Sequence, residues 1–178
     1  MLCVAAIATG ITPMVRIGSQ DGHLAARVLD GGAQGLMVPH INSAAEAEAI
    51  VTACRFPPIG HRSVGGAGPA LGYKAMPQAE VSDFLNRETL LLAMLETPEA
   101  IEQAEAIAAV PGIDGLHIGS NDLCSEMGIP AGITTRATCT PWNRPHVRRG
   151  RTASRSASAA CCSTTNCRPN SCGSARAI

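Results

Sequence analysis

An α/β fold, a parallel sheet covered by helices, is predicted by three features of the first 131 residues. Short, near-continuous apolar runs recur ("MVRIG", "GLMVPHI", "LLLAMLET", "GIDGLHIGSND"). Between them lie amphipathic or Ala/Glu-rich stretches of helical length, and glycines, prolines and small polar clusters mark the joints. Strands buried on both faces read as unbroken apolar runs, because crossover helices cover them. Doubly wound sheets and (β/α) barrels both satisfy this alternation, and periodicity does not choose between them.

Taken in order, "MLCVAAIATG" is too short for a spanning helix and has no basic n-region, so it reads as neither signal peptide nor anchor. Met14–Gly18, after Pro13, is a predicted strand. "DGHLAARVLDGG" follows as a helix, with Leu24, Val28 and Leu29 at helical spacing and glycines to stop it. "GLMVPHI" is the next strand, and "NSAAEAEAIVTACR" a helix opened by Asn42 or Ser43. A loop from Phe56 to Pro77 leads to a helical stretch near Val81–Asn86. "LLLAMLET" is a third strand, "PEAIEQAEAIAAV" a helix with Pro98 in its first turn, and "GIDGLHIGSND" a fourth strand.

Composition divides the chain. All 14 acidic residues precede Gly132, with only 6 of the 14 Lys and Arg, so residues 1–131 carry a formal charge near −8 and residues 132–178 carry +8. The last 47 residues hold five of the eight cysteines and no Leu, Asp, Glu or Lys. A basic arm of this kind suggests nucleic acid, but Trp142 is its one aromatic residue for stacking, and its cysteine spacing fits no zinc pattern. The three scattered cysteines before it form no disulfide framework, which suits a cytoplasmic protein with no membrane partner.

The chemistry concentrates at strand ends. Glu96 follows "LLLAML" and Asp122 follows "GLHIGSN", 26 residues apart, about one βα unit. Two carboxylates from neighbouring strands, on the face where such sheets keep their sites, suit Mg²⁺ or Mn²⁺ better than Zn²⁺. Arg16 ends "MVR" on the same predicted face and could grip an anionic oxygen. The competing explanation is that Glu96 and Asp122 merely cap the helices that follow them.

The blocks "TPMVRI", "VLDGGAQGLMVPHINSAAEAEAIVTACRFPPIGHRSVGG", "ETLLLAMLETPEAIEQAEAIAAVPGIDGLHIGSNDL" and "MGIP" resemble, in unbroken order from Leu2 to Pro130, the HpcH/HpaI aldolase/citrate lyase family. The resemblance implies a partial (β/α)₈ TIM barrel, roughly its third to sixth βα units. It also implies a divalent-metal-dependent aldolase (Mg²⁺, Mn²⁺ or Co²⁺) that makes and uses the enolate of pyruvate or a related 2-oxo acid. A sister reading is a citrate-lyase-like enzyme acting on a CoA thioester. By resemblance, Glu96 and Asp122 match the metal carboxylates and Arg16 the arginine facing the keto oxygen. The backbone around Ser120, Asn121 and Asp122 would receive the substrate carboxylate. Asp30 matches an acidic residue that reaches a neighbouring subunit's site in some members, so a homo-oligomer is expected; simple helix capping would also account for it. The "GHRSVGGAGPALGY" loop resembles a mobile loop beside the site.

Departures from the family pattern matter equally. Its general base, a histidine after an acidic residue, belongs to a strand upstream of the block where Met1 falls. His23, His40 and His117 read as structural, and Met94 stands where some members have a glutamine near the metal. The expectation is a shortened, inactive barrel domain over 1–131 and a non-native, disordered tail over 132–178. Recoding that tail with GC-rich codons in a shifted frame turns Thr152–Arg176 into "GKPLGVGGVLLDDELPAELVRLGAR", an amphipathic sequence, so the tail is read as a frameshift product.

Overall fold

The computed structural model describes residues 1–129. Seven α-helices and four strands alternate: α1 (Leu2–Ala8), β1 (Met14–Arg16), α2 (Gly22–Asp30), β2 (Gly35–Val38), α3 (Ala44–Cys54), α4 (Gln78–Glu88), β3 (Leu90–Leu95), α5 (Pro98–Glu102), α6 (Ala104–Ala109), β4 (Gly115–Ile118) and α7 (Ser120–Glu126). A 3₁₀ turn at Pro69–Leu71 interrupts the long connection before α4. The expectations for the tail fall outside the described residues.

All strand pairs are parallel, and their order is β1-β2-β3-β4. This settles what periodicity left open. A doubly wound sheet reverses its strand order, whereas strands added one after another with right-handed crossovers keep every helix on one side. Helices α2 and α3 pack together, as do α3 and α6. The order is that of consecutive units of a (β/α)₈ barrel.

Strand parity divides the side chains. Leu36, Val38, Leu91, Ala93 and Leu95 point toward the helices and are buried with Ile50, Val51 and Ile107. Each large aliphatic side chain so covered contributes about 1.5–3 kcal/mol. The register pairs Arg16 with Met37, Met37 with Leu92, and Met94 with His117, so these residues share the opposite face. His117 is exposed there.

Local signals account for three of the seven helix starts. The Asp21 carboxylate accepts from the His23 and Leu24 amides, Ser43 Oγ from Glu46, and Thr97 Oγ1 from Ala100. Glu46 reaches back to the Asn42 amide at 2.7 Å, a reciprocal arrangement that decides between the two predicted caps: Ser43 is the N-cap. The single predicted helix after Pro98 is two, broken at Gln103; α5 buries Ala100, and α6 buries Ala104 and Ile107.

At the N-terminal ends of the strands, Arg55 closes α3 as a fully buried guanidinium. Nε and Nη2 donate to Gly112 O, Nη1 to Asn86 O and Thr89 O, and Nη2 to the Asp114 carboxylate. Asp114 Oδ2 also accepts from the Leu91 amide at 2.7 Å, which ties α3, α4, β3 and β4 together. Gly112 has φ +107°, and a Cβ there would meet Val51 Cγ1 at 2.6 Å, so only glycine brings its carbonyl to Arg55.

Candidate active site

Glu96 is the first residue past β3 and has 0% exposure. The capping explanation fails for it: Thr97 caps α5, while Glu96 turns back toward the strand ends. Its Oε2 accepts from the His40 amide at 2.8 Å and lies 3.1 Å from His40 Nδ1. Its Oε1 lies 3.5 Å from Arg16 Nη2 and, although buried, has no hydrogen-bond partner. A buried carboxylate oxygen left without a donor is costly unless something else satisfies it.

Arg16 reaches Glu96 because β1 and β3 flank β2 and present matching parity at the same end. Its Nε donates to Met94 Sδ at 3.4 Å, and about half of its side chain remains exposed. Met94, which stands where a polar residue was expected by resemblance, thus serves as a soft acceptor that orients the arginine. The approach of β4 is equally tight. A Cβ on Gly119 would lie 2.5 Å from Glu96 Cγ and 2.8 Å from Met94 Cε, so the turn from β4 into α7 must be glycine.

Asp122 lies in the first turn of α7, exposed, and makes no side-chain cap hydrogen bond. The amides of Ser120, Asn121 and Asp122 precede the first bond of that helix, from Leu123 N to Gly119 O. Among the described residues there is no group of three or more His, Cys, Asp or Glu side chains that could hold a metal. Glu96, just past β3, and Asp122, in the first turn after β4, lie at the same end of the sheet, and hard divalent ions take carboxylate oxygens. The partnerless Glu96 Oε1 fits such an ion.

One residue that the sequence set aside lies at this site. His40, read as structural, has φ 55° and faces Glu96; Gln20 Nε2 donates to its carbonyl. The signal was available: "VPHI" ends a strand at the same end of the sheet as Glu96. Distance in the chain hid the contact, since 56 residues separate the two.

Asp30 and the glycine-rich loop lie elsewhere. Asp30 ends α2, where a negative charge opposes the helix dipole, so capping does not explain it. Arg62 does: Nη2 donates to Asp30 Oδ1 at 2.6 Å, and the guanidinium stacks 4.7 Å from the Phe56 ring. The loop, with Leu29, Asp30 and Thr89, borders a cleft of about 330 Å³. Within this chain it is not beside Glu96 but at the opposite end of the sheet, because α3 runs antiparallel to the strands and releases the chain there.

A family model described as HpcH/HpaI aldolase/citrate lyase matches residues 2–170. The chain belongs to that family. It is 40% identical over 137 residues to the 4-hydroxy-4-methyl-2-oxoglutarate aldolase tasA of Hapsidospora irregularis, covering 76% of this chain and 51% of that one. The chain thus spans about half the length of this curated relative. An HpcH/HpaI aldolase from Desulfitobacterium hafniense DCB-2 superposes with TM-score 0.74 at 31% identity, over 79% of this chain and 54% of that one. The citrate synthase SbnG superposes at 0.71 with 30% identity, over 79% and 53%. The relative and one of these structures are named aldolases, and the other structure a citrate synthase.

Proposed function

We propose that this chain carries the ion-binding and enolate-stabilising side of a metal-dependent aldolase acting on pyruvate or a related 2-oxo acid. The observation that carries this reading is Glu96 Oε1, a buried acceptor without a donor, beside Arg16 at the C-terminal ends of parallel strands. Glu96 and Asp122 would hold Mg²⁺, Mn²⁺ or Co²⁺, which when bound supplies Lewis-acid polarisation of the 2-oxo acid. Arg16, oriented through Nε, would direct its remaining N–H groups to the keto oxygen and stabilise the negative charge that develops there as the C–C bond breaks. The amides of Ser120, Asn121 and Asp122 would receive the substrate carboxylate. Asp30 would serve a neighbouring copy in a homo-oligomer. The relative's substrate suggests a 4-hydroxy-2-oxo acid, whose retro-aldol cleavage yields the enolate of a 2-oxo acid and a carbonyl product.

None of the histidines matches the family's general base, so turnover by these 178 residues alone should be slow. The similarity to a citrate synthase keeps a second reading, a citrate-lyase-like C–C lyase acting on a CoA thioester. Mn²⁺ titration of the chain by electron paramagnetic resonance tests the site. Binding should be lost in Glu96→Ala and in Asp122→Ala. Pyruvate release from 4-hydroxy-4-methyl-2-oxoglutarate, compared with cleavage of a CoA thioester, separates the two reactions. Ion binding that survives both substitutions removes the reading.

A further inference from the structure

We propose that His40 is the positioning residue that presents Glu96 as a one-oxygen ligand; this rests on the reading of Glu96 as an ion-binding carboxylate. One hydrogen bond and one ion-pair contact from the same residue converge on the same oxygen. The His40 amide is 2.8 Å and its Nδ1 3.1 Å from Glu96 Oε2. A carboxylate only accepts, so the 3.1 Å contact is favourable with the proton on Nδ1. With Oε2 bonded by the amide and in contact with the imidazole, Oε1 is the oxygen left for an ion, and it is the one without a hydrogen-bond partner.

The backbone shows that this convergence is built. His40 has φ 55°, a left-handed conformation that suits glycine and asparagine and is uncommon for histidine. Only this turn brings amide and imidazole to one side. It is held by Gln20 Nε2 on the His40 carbonyl and by the Ile41 amide on Met94 O at 3.2 Å. From the other side, the missing Cβ of Gly119 leaves the space that Glu96 fills, since that Cβ would stand 3.0 Å from Oε1. The carboxylate is pinned at one oxygen and confined at the other. Such outer contacts fix a ligand's orientation, and their loss weakens metal affinity.

Two variants separate side chain from backbone. His40→Gly keeps the amide and relieves the left-handed strain but removes the imidazole. His40→Asn tolerates the same φ and places an N–H donor on Cγ, where Nδ1 is attached. In the full chain, His40→Gly should bind Mn²⁺ about 10-fold or more weakly at an unchanged melting temperature, and His40→Asn should restore wild-type affinity. Wild-type affinity in His40→Gly, or no recovery in His40→Asn, would overturn the proposal. If the wild type binds no Mn²⁺, the ion-site reading fails by itself, and the pinning is then read without metal. A slowly exchanging His40 Nδ1 proton in the ¹⁵N spectrum, lost in Glu96→Ala, supports it, and absence of that proton from the wild type removes it.

Discussion

Two buried charges, Arg55 at one end of the sheet and Glu96 at the other, are treated in opposite ways. At the N-terminal end, Arg55 has five N–H groups and five hydrogen bonds, and its carboxylate partner Asp114 also binds a strand amide. At the C-terminal end, Glu96 is equally buried, yet one oxygen accepts from an amide and meets an imidazole, while the other has only the Arg16 guanidinium at 3.5 Å and no hydrogen bond. A saturated network has nothing left to offer a ligand and serves only cohesion. An unsaturated one stores a demand that a ligand meets. Burial does not distinguish the two charges, because it is the same for both; the role proposed for Glu96 rests on this difference in hydrogen bonding.

Breaking the saturated end should have the largest effect. Arg55→Ala strands three carbonyl acceptors and a carboxylate and should cost about 3–5 kcal/mol, read from the urea midpoint. Arg16→Ala, at the half-exposed arginine of the other end, should change stability by less than about 1 kcal/mol. Equal losses would abolish the contrast. The acids sharpen it. Asp114→Ala should cost about 2 kcal/mol, since it leaves Arg55 and the Leu91 amide short of an acceptor. Glu96→Gln should be neutral or mildly stabilising in the same measurement.

The smallest effect concerns Cys54, beside Arg55. Burial pushes its thiol up to about 11, against the opposing influence of Arg62 and Arg55. An unfolded chain ionises this thiol near pH 9 while the folded chain keeps the proton, so the unfolded state binds fewer protons as pH rises. Stability must therefore fall between about pH 9 and 11, on the order of 1 kcal/mol by pH 10. Cys54→Ala should remove that part of the loss when urea midpoints at pH 8 and pH 10 are compared.

The amino-acid sequence by itself determined the strands, the helices between them and three helix caps, of which it marked one, at Asn42 or Ser43. These depend on contacts within a few residues: Asp21, Ser43 and Thr97 each bond amides two or three positions away. It also marked Arg16, Glu96 and Asp122 by their place at strand ends, and its resemblance to a family gave them roles. The break at Gln103 escaped it, since the apolar pattern continues across that residue. Tertiary structure alone decided the strand order, because periodicity records which faces are buried and not which strand lies beside which. It alone moved the glycine-rich loop to the far end and gave Asp30 its partner. It alone brought His40 to Glu96: that contact crosses 56 residues and depends on one left-handed residue and one missing Cβ, and no local pattern encodes both.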